Sequence, residues 1–187
     1  MSSRIIGIDA GNNHSALVVY APQCPKILDY ALESNEDIAM RLKALRNENT
    51  GGSGPNRTRL VLEMVKSYGS PLGDSILETV FWIGRFVQIW TDTANMSYDL
   101  VPRKTIVNAL IGHSQGGDSA VRQSLINYFA NRGLYGPQGE SFEAGSDPKS
   151  LTRKGGPLYG IKKDLWAALA VCVSYRTVLE KRHHDIL

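Results

Sequence analysis

Two short aliphatic runs in this chain each end in a carboxylate, and that pattern narrows the folds open to it. Ile5-Ile6-Gly7-Ile8 stops at Asp9, and Leu60-Val61-Leu62 stops at Glu63. An unbroken aliphatic run of this length reads as a strand covered on both faces. A carboxylate at the end of such a strand is costly unless a cation neutralises it. A third acid, Asp164, opens the closing helix ahead of Leu165-Trp166-Ala167-Ala168-Leu169-Ala170-Val171. Two strand ends and a helix start this far apart in sequence converge only through the fold. The leading expectation is a divalent-metal site made by Asp9, Glu63 and Asp164.

The remaining pattern fills in an architecture around these points. Strands are expected from Arg4 to Asp9 and from Ser15 to Tyr20, joined by the hairpin link Ala10-Gly11-Asn12-Asn13-His14, whose residues tolerate positive φ. A third strand is expected near Lys26 to Ala31, then a helix with Ile38, Leu42 and Leu45 on one face and Asn35 as its N-cap. Thr58 to Glu63 and Ser97 to Val101 read as further strands. Between them a long helix is expected from Pro71 to about Trp90, with Pro near its first turn. Its stripe Ile76, Val80, Ile83, Val87, Trp90 lies beside a second one, Leu77, Phe81, Gly84. Such a helix has two surfaces to cover, a sheet and either its own domain or a partner subunit. Pro102 to Ile111 and Asp118 to Ala130 read as two helical pieces, and the last helix runs from about Lys163 to Lys181 with Trp166, Leu169, Ala170 and Val173 inward. Segments 47–57 and 131–160 are rich in Gly, Asn, Ser or Pro and are expected to be flexible loops, the second without an element until something binds. Three antiparallel strands followed by alternating helix and strand give an α/β fold, a mixed sheet with helices on both faces, in a single domain over 1–187.

Bulk properties exclude more than they assign. No apolar run approaches the ~20 residues of a membrane span, and Met1-Ser2-Ser3-Arg4 leads into a strand rather than a secretory apolar region, so a cytoplasmic protein is expected. Cys24 and Cys172 lack metal-cluster spacing and read as small packing residues. The formal charge of +3 does not by itself indicate a polyanion partner. Its distribution is more telling, because Lys149, Arg153, Lys154, Lys162 and Lys163 lie in a stretch without an acid. The stretch suits phosphate contacts, and a solvated loop has the same composition.

Carboxylates in these places suit magnesium, which takes oxygen ligands and keeps several waters. A pair of such ions about 3.5–4 Å apart assists phosphodiester hydrolysis. No His-x-x-His or HExxH pattern supports zinc, and His183-His184 is adjacent and terminal. Each acid also has a plainer reading. Asp9 before Gly11 could serve a turn, and Asp164 could be a first-turn acid favoured by the helix dipole. Glu63 is harder to explain this way, because Glu is a poor strand residue and follows three aliphatics.

Ile5-Ile6-Gly7-Ile8-Asp9-Ala10-Gly11, with the strand Ala16-Leu17-Val18-Val19-Tyr20, resembles the opening of RuvC-like Holliday junction resolvases, of the RNase H-like nuclease superfamily. Leu60-Val61-Leu62-Glu63 and the helix bearing Gly84-Arg85-Phe86 are similar to that family's second acidic strand and dimer-forming helix. Val101-Pro102-Arg103-Lys104 through Gly112, then Val121-Arg122-Gln123, resembles its next helical segment, and Asp164 with Ala167-Ala168-Leu169-Ala170 its final motif. The order of motifs spans nearly the whole chain and looks closest to the bacteriophage-borne branch. The resemblance implies an RNase H-like fold, dependence on Mg²⁺ with Mn²⁺ able to substitute, a homodimer through helix 71–90, and cutting of branched DNA such as the four-way junction. Asp9, Glu63 and Asp164 match family acids, while Ala167 stands where a second closing acid belongs. Asp118 holds a position commonly basic in the family; it reads first as an N-cap and alternatively as a replacement metal ligand. Arg103 and Lys104 join Lys149, Arg153, Lys154, Lys162 and Lys163 as expected DNA contacts, and Tyr68, Tyr135 or Tyr159 as stacking candidates.

Two rivals belong to other classes. Gly7-Ile8-Asp9-Ala10-Gly11-Asn12 also resembles the first phosphate loop of actin-like and sugar kinases, but the chain has no second Asp-x-Gly loop. The other rival is an RNase H-like domain that binds branched DNA without cutting it, which Ala167 favours.

Overall fold

The structure, a computed structural model, describes residues 4–49, 58–66, 69, 73–92 and 96–184. Its sheet follows from alternation within the two aliphatic runs. Strand β1 (Arg4–Asp9) pairs antiparallel with β2 (His14–Ala21), and β2 pairs antiparallel with β3 (Lys26–Ser34). On the other side β1 pairs parallel with β4 (Thr58–Met64), and β4 pairs parallel with β5 (Tyr98–Pro102). The expected mixed α/β sheet, three antiparallel strands followed by parallel ones, is what forms.

Successive side chains of a strand face opposite ways, so each central strand serves two cores. Ile6, Ile8, Leu60 and Leu62 pack with α1 (Asn35–Asn49) and α2 (Asp74–Thr91). Ile5 and Val61 pack on the other face, beneath α3 (Arg103–Ile111), α4 (Asp118–Arg132) and α5 (Leu165–His184). By the same parity Asp9 and Glu63 belong to this second face. Gly7 lets α5 lie directly on β1. A Cβ there would stand 2.4 Å from the Ala168 carbonyl oxygen and 2.5 Å from Cys172 Sγ.

The structure corrects several expectations. The hairpin link forms without positive φ; among the described non-glycine residues only Lys163 has it. Gly11 is there for room, since a Cβ would stand 2.3 Å from the His14 carbonyl oxygen. Asn35 is not a helix cap. Its side-chain amide donates to the carbonyls of Gly11 and Asn12, bracing the hairpin, while Ser34 Oγ accepts from the Asp37 amide at the helix start. Helix α2 begins at Asp74, and Pro71 lies outside the described residues. Its buried side chains are Trp82, Ile83, Phe86 and Trp90, whereas Val80 of the expected stripe is exposed beside Leu77 and Phe81. Cys24 is exposed and packs no core, while Cys172 is buried.

Segment 131–160 also departs from its reading as a stretch without an element. It completes α4 and adds β6 (Leu134–Tyr135) and β7 (Ser141–Phe142) beyond the edge of β3. A short 3-10 turn, Pro148–Leu151, follows, and Leu134, Phe142, Leu151 and Leu158 are buried. Two-residue strands leave no periodicity to read. Loop 47–57 lies largely outside the described residues. Among the described residues no helix is long and apolar enough to cross a membrane.

Candidate active site

Register puts two acids side by side. Ile8 of β1 is paired with Leu62 of β4, so the next residues, Asp9 and Glu63, are neighbours at the carboxyl ends of adjacent parallel strands. Glu63 is in turn paired with Val101 of β5, which places Arg103, the first residue of α3, close to it. The third acid arrives from the far end of the chain. Lys163 takes a left-handed conformation (φ 48°), and Asp164 follows it, its carbonyl accepting from the Ala168 amide to start α5. Because α5 rests on Gly7, Asp164 is delivered beside Asp9.

These residues line one cleft of about 790 Å³: Asp9, Glu63, Asp118 and Asp164 with Arg103, Arg122, Lys163, Trp166 and Ala167. The three acids expected from the sequence therefore share a site, and Asp118 joins them. Asp118 is the first residue of α4, whose N-cap is Gly117 with no side-chain cap, so the N-cap reading of Asp118 is corrected. Its carboxylate pairs with Arg103 Nη2 instead. Arg103 Nη1 donates to Glu63 Oε2 at 3.2 Å, so one guanidinium bridges two acids from different elements.

Electrostatics follow from that geometry. Burial, then the neighbouring charges of Glu63 and Asp164, push the Asp9 carboxyl up to about 7, with Arg103 opposing from across space. Glu63 is raised as well, by burial first, against the attraction of Arg103. Crowded carboxylates without enough positive charge hold protons they would lose in water. Among the described residues no three His, Cys, Asp or Glu side chains stand close enough to share one ion. The donor chemistry fits a hard divalent cation, being all carboxylate oxygen at a crowded, proton-retaining site. Asp9, Glu63 and Asp164 are the side chains that would have to draw together to hold it, with Asp118 lining the same cleft.

The expected DNA contacts divide by position. Arg103 and Lys163 line the cleft, Arg103 already engaged with acids. Lys104, Lys149, Arg153, Lys154 and Lys162 are exposed and lie outside its lining. Tyr135 and Tyr159 are exposed on the surface, and Tyr68 lies outside the described residues. Arg122 is not among the contacts expected from the sequence. It stacks on Trp166, 5.0 Å from the ring centroid, and so holds a fixed positive charge in the cleft. The i+4 offset from Asp118 on α4 was the one sequence signal for it.

The sequence matches no family model and no curated protein. The fold does match solved structures. Thermus thermophilus RuvC is similar with a TM-score of 0.61 at 14% identity, over 95% of this chain and 96% of that one. T. thermophilus RuvC in complex with Holliday junction substrate gives 0.55 at 15% identity, over 95% and 94%. The yeast mitochondrial Holliday junction resolvase Ydc2 gives 0.54 at 14% identity, over 98% and 81%. The chain thus has an RNase H-like fold. Within that class its arrangement is the RuvC-like one of these resolvases.

Proposed function

We propose that this protein is a divalent-cation-dependent endonuclease that resolves four-way (Holliday) or other branched DNA junctions by phosphodiester hydrolysis. The observation that carries the reading is the acidic cleft at the carboxyl ends of β1 and β4, met by the start of α5, in a RuvC-like fold. Two Mg²⁺ ions, or Mn²⁺ in their place, would supply the Lewis acidity for hydrolysis, with Asp9, Glu63 and Asp164 as the side chains to hold them and Asp118 in reserve for the acid missing at Ala167. Lys163 and Arg122 bring positive charge to the same cleft and suit a scissile phosphate and its neighbours. Lys104, Lys149, Arg153, Lys154 and Lys162 are exposed and suit the flanking backbone, where contacts set position rather than sequence.

A homodimer through α2 belongs to the same proposal, because Leu77 (53% exposed) and Phe81 (61% exposed) stand out from that helix and Gly84 has open space above it. Two clefts on one particle suit paired cuts in a four-way junction. The host cytoplasm and a bacteriophage origin fit this reading.

Incubating the protein with an end-labelled four-way junction and Mg²⁺ tests it. Nicked duplex products that vanish in EDTA and in Asp9→Asn are expected; an intact junction at saturating protein contradicts the nuclease. A second reading, binding without cutting, is favoured by Ala167 in the cleft and by Arg103 on Glu63. It predicts a shifted but intact junction in the same assay.

A further inference from the structure

Arg103 occupies a place the nuclease reading leaves unexplained. The guanidinium is bound to Glu63, one of the candidate cation ligands, so a cation entering there competes with it. The side chain bridges Glu63 on β4 and Asp118 on α4, two elements that otherwise approach the cleft from different sides. Its backbone is anchored, following Pro102 at the end of β5, but its head stands in an open cleft and is 33% exposed. The Asp118 side chain is 95% exposed, so its half of the bridge is open to water and to competing ions.

We propose that Arg103 is an exchangeable counter-ion. It holds Glu63 and Asp118 while the cleft carries no cation, and it transfers to a backbone phosphate when DNA enters, so that divalent cation and DNA bind cooperatively. The reasoning is competitive. A divalent cation drawn to Asp9 and Glu63 must displace the guanidinium from Glu63, and the displaced positive charge then lies next to the new one. That repulsion is relieved when the guanidinium finds another anion. A phosphodiester is suited to it, since the planar fork of Arg matches phosphate oxygens as well as carboxylates. The coupling is reciprocal, so whatever the DNA does for the cation, the cation does for the DNA. The DNA half of this proposal rests on the nuclease reading; the competition between Arg103 and the cation does not.

Titration calorimetry with Ca²⁺ on the full chain tests both halves, free and saturated with a four-way junction, for the native protein and Arg103→Gln. Without DNA, the variant is expected to bind Ca²⁺ at least fivefold more tightly than the native protein. With DNA, the native affinity is expected to rise at least tenfold, and the gain in the variant to be at least threefold smaller. Equal or weaker Ca²⁺ binding by the free variant overturns the counter-ion, and an undiminished gain with DNA overturns the transfer. A native protein that binds no junction removes the transfer together with the nuclease reading, while the DNA-free comparison still decides the competition. Arg103→Lys serves if Arg103→Gln does not fold. An ammonium cannot bridge two carboxylates as a fork does, so its Ca²⁺ affinity is expected between the other two, and a value equal to native overturns the proposal.

Discussion

The two faces of β1 and β4 are made from alternate residues of the same segments, and they end differently. On the α1–α2 side the last inward residues are Ile8 and Leu62, both fully buried and surrounded by apolar neighbours. On the α3–α5 side the strands finish at Asp9 and Glu63, half-buried acids whose proton affinity is raised, first of all by burial. Both faces carry a buried apolar core, but at the strand ends one stays apolar and the other turns into an acidic cluster. A polar site of this kind lowers stability locally, and the apolar cores on both faces offset it. Substitutions one residue apart on β1 or β4 should therefore separate function from folding.

The largest effect expected is on cleavage. Asp9→Asn and Glu63→Gln should each abolish nicking of a labelled four-way junction while a gel shift shows the junction still bound; native-like cleavage in either removes the acidic face from the chemistry. Leu62→Ala, the neighbour of Glu63 on the opposite face, should instead cost about 2–5 kcal/mol in denaturant unfolding, with activity per folded molecule retained. If Leu62→Ala leaves stability unchanged, the division of labour between the faces is wrong.

Acidity provides a finer cut at the same contrast. Asp9 has a folded-state pKa of about 7 against an ordinary 3.8, so the folded protein binds more protons than the unfolded chain between those values. Its contribution to stability is fully present below about pH 4 and is lost as pH rises through 7, a change on the order of a few kcal/mol. In EDTA, the cluster alone should lower the melting temperature between pH 5 and pH 8. Mg²⁺ should restore it at pH 8 and do little at pH 5, where Asp9 keeps its proton. Ile8→Val, on the apolar face, should leave that Mg²⁺ response intact.

The smallest effect on stability belongs to the outer surface of α2. Phe81→Glu should change unfolding free energy by less than about 1 kcal/mol, yet halve the mass seen by sedimentation if Phe81 sits in a homodimer. A native protein that already sediments as a monomer removes the dimer.

The acids were legible because a carboxylate closing an aliphatic strand run is conspicuous, and the mixed character of the sheet followed from the sequence of strands and helices around them. What stayed hidden depended on three dimensions. Arg103 lies 40 residues from Glu63 and 15 from Asp118, and no sequence period connects them. Asp118 looked like a helix cap because it follows two glycines, but Gly117 fills that place and frees its carboxylate for Arg103. The expected stripe of α2 includes Val80, which is exposed, and omits Trp82 and Phe86, which are buried, because this helix carries hydrophobic residues on both its covered and its open side. Segment 131–160 was opaque because its order comes from scattered anchors such as Leu134, Phe142 and Leu158 rather than from any repeat.

Anomalous diffraction from a crystal soaked in Mn²⁺ tests the central claim most directly. The account predicts manganese density between Asp9, Glu63 and Asp164, with Arg103 turned away from Glu63. Manganese absent from the cleft at saturating concentration, with Arg103 still bonded to Glu63, would contradict it.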